Sequence, residues 1–193
     1  MTDPRIDHDP AVRRMIRLVE AVPEDSLGRP TPCQDYSVGD LLDHIGGVAI
    51  AFTGAARKQP VAPAPSGVAA NLSLDWRERI PRNFMVMNEA WQDPSAWTGM
   101  TQAGGVDLPA ELAAMVALDE LVIHGWDLAT ATDQPAGYEG PGLDAVHQTV
   151  QQFRTSGIEG LFGPEVRVAE DAPLLDRILG LSGRDPGWTP PPV

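Results

Sequence analysis

Residues 118–129 read LDELVIHGWDLA, an apolar stretch that carries Glu120 and His124 four residues apart. Side chains at positions i and i+4 of an α-helix lie one above the other, so this carboxylate and this imidazole are expected to meet. Ile123 and Leu128 are expected to turn the same side of the helix towards the core. Because a carboxylate left alone in an apolar interior is costly, the stretch predicts that Glu120 is paired or coordinates a cation.

A second histidine follows the apolar side of another predicted helix. His44 lies three residues after Leu41 and four before Val48, so its imidazole is expected to point inward as well. Bundle cores build metal sites from such side chains on facing helices, and two imidazoles with one carboxylate are a ligand set of catalytic zinc sites. We therefore predict a divalent metal, Zn²⁺ in the first place, held by His44, Glu120 and His124. The same ligands also suit Ni²⁺ or Fe²⁺.

The same three residues have a simpler interpretation. Glu120 and His124 could form an ordinary pair within one helix, with His44 as a core histidine. The protein would then be a metal-free helical interaction protein, and Glu120 would have to be exposed or paired with an arginine. The two interpretations differ in whether an ion joins the three side chains.

Two aspartates lie about one turn from the predicted ligands. Asp40 precedes His44 and Asp127 follows His124, so either could accept a hydrogen bond from the imidazole nitrogen that faces away from a metal. For Asp40 we expect a helix cap instead, because Ser37 stands three residues before it in a capping-box pattern. The role of Asp127 stays open at this point.

Three other side chains are of types that can bind a metal. Cys33 lies in a loop flanked by proline, where a structural thiol is expected, although it could approach the metal as a fourth ligand. His8 is expected in a frayed N-terminus. His147 is expected on a late helix, and neither of these histidines is assigned to the site.

Apolar residues recur with the spacing of amphipathic helices along most of the chain. Long helices with few strands predict an all-α protein built as a helical bundle. Pro81 is expected to kink the third helix or to mark a late start, and Leu74 is expected on its apolar side. Gly104 and Gly105 indicate a loop or a small hairpin before the fourth helix. The helices are predicted over residues 10–22, 38–58, 74–92, 109–132, 142–155 and 173–181.

Length and charge limit the classes of function. The 193 residues suit one domain, and a net charge of −13 argues against binding to nucleic acid or to anionic membrane surfaces. The chain has no run of ~20 apolar residues that could span a bilayer. A single cysteine fits a reducing cytoplasm, where we expect the protein as a monomer or homodimer.

Two motifs carry a family resemblance. TPCQDYSVGDLLDHIGG (31–47) and LDELVIHGWDLATATDQP (118–135) are similar, in wording and order, to the metal-binding domain of mycothiol-dependent maleylpyruvate isomerases. These belong to the DinB-like superfamily of four-helix metalloproteins. The segment FGPEVRVAEDAPLLDRILGLSGRDP (162–186) resembles a subgroup of small proteins of that family. The resemblance implies a DinB-like four-helix bundle over residues 1–193, with additional short helices and a family-specific tail from about residue 160.

The resemblance also implies a ligand set and a chemistry. The three metal ligands of the family fall on His44, Glu120 and His124, and its cofactor is the thiol mycothiol. A metal-activated thiol that attacks a small-molecule electrophile would make the protein an S-transferase or an isomerase. Characterised isomerases of the family carry a second, C-terminal domain, whereas the segment after the bundle is expected here to be a short family-specific tail. The alternative is a non-catalytic binding or regulatory module that contains a metal.

Overall fold

A computed structural model of the chain describes residues 5–34, 36–59, 61, 67–156 and 162–191. Six α-helices and one antiparallel hairpin form the regular structure of these residues, apart from three short 3₁₀ turns. The all-α class and the small hairpin are thereby confirmed, and each of the six predicted helices is present. In chain order the elements are α1 (Asp9–Glu20), α2 (Val38–Ala56), α3 (Trp76–Trp91), β1 (Met100–Ala103), β2 (Val106–Pro109), α4 (Ala110–Ala131), α5 (Pro141–Ser156) and α6 (Leu174–Leu181).

The first four helices form the bundle. Both α1 and α2 pack against α3 and against α4, so the core lies between these two pairs. The hairpin packs against α2 and α4, whereas α5 packs against α4 and α6 packs against α5. Among the described helices, none has the length and apolarity that crossing a membrane requires. This packing leaves α4 in contact with helices on several sides, which explains why it is apolar around most of its circumference.

A capping box fixes the start of α2. The Asp40 N–H donates to the Ser37 hydroxyl at 3.3 Å, and the Ser37 N–H donates to the Asp40 carboxylate at 2.9 Å. The predicted capping role of Asp40 is therefore confirmed. Asp40 also accepts a hydrogen bond from the Ala69 N–H at 2.6 Å, so the same carboxylate ties the segment after α2 back to its first turn.

A glycine in α4 makes room for a tyrosine from the following loop. The Tyr138 ring lies against Gly125, and its hydroxyl donates to the backbone oxygen of Leu121 at 2.8 Å. A Cβ atom on Gly125 would overlap that hydroxyl. This hydrogen bond holds the loop after α4 against the helical turn that carries His124.

The third helix begins two residues later than predicted, and this start bears on the predictions for Leu74 and Pro81. The helix begins at Trp76, so Leu74 precedes it and is fully exposed; its predicted place on the apolar side is wrong. Pro81 lies inside the helix and is buried next to Ile80. Pro81 is the sixth residue of the helix, so it does not mark the start, and the helix lacks the N–H donor that would bond the backbone oxygen of Arg77.

The prediction of a frayed N-terminus around His8 is also wrong. Only 2% of His8 is exposed, and its Nε2–H donates to the backbone oxygen of Ala114 at 2.8 Å. Its ring lies 5.8 Å from the rings of Trp91 and Trp97, centroid to centroid. Spacing along the chain could not reveal this contact, because its partners come from α3, α4 and the turn before the hairpin.

We expect Gly125→Ala to lower the free energy of unfolding by ~1–3 kcal/mol, because the added methyl displaces Tyr138 from its hydrogen bond. Gly142→Ala is the matched control, since a Cβ there meets only the Leu118 side chain at an ordinary 3.8 Å. This control should be neutral or raise stability by up to ~1 kcal/mol. Urea denaturation followed by circular dichroism measures both, and equal effects of the two variants would contradict the packing described.

Candidate metal centre

The three predicted ligand residues converge at one point between α2 and α4. Glu120 Oε2 lies 3.2 Å from His124 Nε2 and 3.4 Å from His44 Nε2. One ligand atom from each residue can be chosen so that all three lie within 4.8 Å of one another. The two imidazole rings meet edge to face, with centroids 4.8 Å apart. The convergence expected from the sequence is therefore observed, whereas metal binding by these residues stays a prediction.

The spacing of these atoms suits a shared ion. Ligand atoms on ~2.1 Å bonds at tetrahedral angles around one Zn²⁺ lie ~3.4 Å apart. The two nitrogen–oxygen distances of 3.2 and 3.4 Å agree with that separation. They are also hydrogen-bond distances, which describes the same cluster in its metal-free form. By these two distances, the residues present fit a divalent metal.

Asp127 holds the far side of the His124 ring. Its carboxylate is fully buried and accepts a hydrogen bond from His124 Nδ1 at 3.0 Å. The bond fixes the orientation of the imidazole and leaves Nε2 directed at Glu120. The open question about Asp127 is settled in favour of the imidazole contact and against a place on the surface.

Arg184 supplies the positive charge that the buried Asp127 requires. Its Nη2 lies 3.1 Å from Asp127 Oδ2, and its Nη1 donates to the backbone oxygen of Ser182 at 3.0 Å. Arg184 follows α6, so the C-terminal segment reaches the cluster through a buried ion pair. Arg184 is absent from the predicted site, because nothing in its local sequence pattern distinguishes it from a surface arginine. The signal that points to it is the need of a buried Asp127 for a positively charged partner.

Charge alternates along this cluster. Burial alone would raise the pKa of Glu120, but hydrogen bonds from His124 and His44 outweigh it and hold that pKa well below its usual range. Burial alone would lower the pKa of His124, but the hydrogen bonds and charges of Asp127 and Glu120 raise it to about 9. The metal-free form therefore pairs a carboxylate with an imidazolium, and a metal has to displace the imidazolium proton.

The cluster forms part of the wall of a cavity of about 800 Å³. Side chains of Glu120 and His124 are 26% and 12% exposed, so the prediction of an apolar interior position holds only in part. A cavity of this size accommodates a small organic molecule beside the cluster. Its lining consists of Cys33, Tyr36, His44, Gly67, Val68, Val116, Asp119, Glu120, Ile123, His124, Phe153, Phe162, Gly163 and Arg184.

Cys33 lines the cavity but belongs to a different group of side chains. Its Sγ lies within 4.8 Å of ligand atoms of His124 and Asp127. Cys33 is therefore grouped with His124 and Asp127, whereas His124 forms the other group with His44 and Glu120. His147 lies outside the cavity lining, on α5 with its Nε2 3.4 Å from Arg177 Nη2.

The sequence matches the model of a known protein family. The model of the mycothiol maleylpyruvate isomerase N-terminal domain matches residues 8–129. The chain belongs to this family. The match includes α1 to most of α4 and all three residues of the cluster, whereas α5, α6 and Arg184 lie beyond it.

Relatives and solved structures agree with this membership. An uncharacterised protein of Mycobacterium tuberculosis, found in strains CDC 1551 and H37Rv, is 26% identical over 94% of this chain and 98% of its own length. The crystal structure of the mycothiol-dependent maleylpyruvate isomerase is similar with a TM-score of 0.62 and 18% identity, over 77% of this chain and 68% of that one. A mutant of that enzyme gives the same TM-score with 15% identity, over 80% and 71%. These structural likenesses concern the fold alone, and they confirm that the chain has the helical architecture of the isomerase structures.

We expect His124 to titrate near pH 9 in the metal-free protein, and Asp127→Asn to lower that value because it removes a hydrogen-bonded negative charge. Since the pKa in the folded state exceeds the ordinary 6.5, protonation of His124 stabilises the fold fully below about pH 6.5. That contribution is lost as the pH rises through about 9. NMR titration of the imidazole protons measures the value.

His147 serves as the internal control of this titration, because burial and the nearby charge of Arg177 lower its pKa. The two histidines should therefore titrate on opposite sides of the ordinary value. A His124 resonance that titrates at or below the ordinary value of a free histidine would contradict the alternating charges.

Proposed function

We propose that the protein binds a divalent metal, Zn²⁺ in the first place and Ni²⁺ or Fe²⁺ as substitutes, through His44, Glu120 and His124. The observation that carries the proposal is the meeting of two imidazoles and one carboxylate at tetrahedral ligand spacing in the wall of a cavity. Membership of the isomerase N-terminal domain family supports it. The coarser conclusion, a helical member of a mycothiol-related family, stands independently of the metal.

We further propose that the site uses a small-molecule thiol, mycothiol in the first place, in an S-transfer or isomerisation reaction. A bound divalent metal would deprotonate a coordinated thiol near neutral pH, which supplies the nucleophile for attack on an electrophilic carbon. His44, Glu120 and His124 would orient that centre rather than exchange protons with substrate. Once a metal displaced the imidazolium proton, the hydrogen bond from Nδ1 to Asp127 would leave His124 Nε2 free for the metal, and Arg184 balances the charge of Asp127.

The catalytic proposal is preferred to a non-catalytic metal module for two reasons. A structural zinc site has all its coordination positions filled by the protein, whereas this cluster borders a cavity of about 800 Å³. Cys33, the possible fourth ligand, is grouped with His124 and Asp127 and is absent from the group of His44, Glu120 and His124. Both observations leave space at the cluster for a ligand.

The C-terminal tail takes part in the proposed site. Phe162, Gly163 and Arg184 all line the cavity, although they lie beyond the matched family region. We therefore propose that residues 1–193 act as one domain, in which the tail from about residue 160 completes the cavity. A cytoplasmic location, a monomer or homodimer, and the absence of nucleic-acid binding stay predictions from composition.

Metal content tests the first proposal. We expect about one equivalent of metal in the purified protein, and a loss in affinity for His44→Ala that exceeds the ~10–100-fold typical of losing an outer hydrogen-bond partner. His147→Ala is the matched control, because that histidine lies outside the cavity lining. Elemental analysis and competition with a chromogenic chelator measure both. Equal and negligible metal in all three proteins would refute the site.

Thermal denaturation with and without mycothiol tests the second proposal. A ligand that binds only the native metal-loaded form stabilises it by ~2.7 kcal/mol at a hundredfold excess over its Kd. We expect this shift in the zinc-loaded protein and no shift in the metal-free protein or in His44→Ala. An equal shift with and without zinc would show that the thiol does not bind at the metal.

A further inference from the structure

One buried carboxyl group in the cavity has no role in the cluster described above. Asp119 is 5% exposed, and its Oδ1 has no hydrogen-bond partner among the residues that the structure describes. Burial, and then the charge of Glu120, raise the pKa of Asp119 well above its ordinary value. A buried polar group without a partner lowers stability, so a folding role does not explain this carboxyl.

The side of α4 that carries Asp119 borders the cavity. Val116 and Ile123, one turn before and after it, both line the cavity, as does Asp119 itself. These three residues share a helix face next to the one that carries Glu120 and His124. The orphan carboxyl therefore lies beside the cluster, in the wall that a ligand of the cluster would touch.

Another part of the wall is aromatic. Phe153 and Phe162 pack edge to face with ring centroids 6.3 Å apart, and Tyr36 also lines the cavity. A ligand in this space meets apolar rings on one side and an unsatisfied carboxyl on another. This combination suits a molecule with carbon-bound hydrogens for the rings and a polar group for Asp119.

We propose that Asp119 is a recognition residue that hydrogen-bonds a hydroxyl group of the thiol ligand, so that the cavity prefers hydroxyl-bearing thiols to apolar thiols of equal size. This inference rests on the proposed thiol function and adds to it the class of ligand. A hydroxyl both donates and accepts, so it satisfies the carboxyl group in either protonation state, whereas an ammonium group only donates. The ligand hydroxyl would be the hydrogen-bond partner that Asp119 lacks within the protein.

The test compares two thiols that differ only in their hydroxyl groups. In 2-methyl-1-butanethiol, methyl groups replace both hydroxyls of 1-thioglycerol at equal size. We expect the zinc-loaded protein to bind 1-thioglycerol more tightly by isothermal titration calorimetry. Asp119→Leu should reduce that preference by about tenfold, and Asp119→Asn, which keeps the shape and one acceptor, by less. Cysteamine is the third probe, and it carries an ammonium group instead of hydroxyls.

A stability measurement separates recognition from a structural role. We expect Asp119→Leu to raise the Tm of the metal-free protein by about 2–4 °C, because it removes a buried polar group without a partner. Glu111→Gln is the matched control, because Glu111 is an exposed carboxylate on the same helix and lies outside the cavity lining. It should leave the Tm and the thiol preference unchanged.

The outcomes distinguish this inference from the proposed function. If wild-type protein holds no zinc or binds no thiol, both fall together. If it holds zinc and binds thiols, but Asp119→Leu keeps the preference or lowers the Tm of the metal-free protein, only the recognition role is refuted. A wild-type preference for cysteamine over 1-thioglycerol that Asp119→Leu removes would replace the hydroxyl with a cation and overturn the ligand class.

Discussion

The pairing of one recessed carboxylate with two imidazoles is the constraint on which the site depends. Glu120 lies in the cavity wall with its Oε2 within 3.4 Å of both ring nitrogens, one from its own helix and one from α2. A negative charge in such a recess is unfavourable unless a cation or a strong donor meets it. The packing of α2 against α4 therefore brings the three side chains together, whether hydrogen bonds or a shared ion joins them.

A chain of ion pairs with alternating charge connects the cluster to the C-terminal segment. Glu120 meets His124, His124 meets Asp127, and Asp127 meets Arg184 from the C-terminal segment. Each member is partly or fully withdrawn from water, so removing one would leave its neighbour without compensation. The tail is consequently part of the environment of the cluster, even though the family region ends before it.

The same cavity contains groups with different origins in the chain. Its polar cluster lies within the matched family region, which also matches the fold of the solved isomerase structures. Phe153, Phe162 and Arg184 come from α5 and from the segments before and after α6, beyond that region. A shared bundle surrounded by different side chains is one way in which a fold can serve different ligands. The unsatisfied Asp119 lies within the matched family region, in the wall of the same cavity.

Periodicity by itself determined the six helices, the capping of α2 by Ser37 and Asp40, and the inward direction of His44, Glu120 and His124. These features depend on neighbours within a few residues along the chain, which a sequence displays directly. Tertiary structure alone decided the burial of His8 against Trp91, the exposure of Leu74, and the partner of Asp127. The buried ion pair to Arg184 joins residues 57 positions apart. No local pattern encodes such contacts, because they arise from the way that whole helices pack.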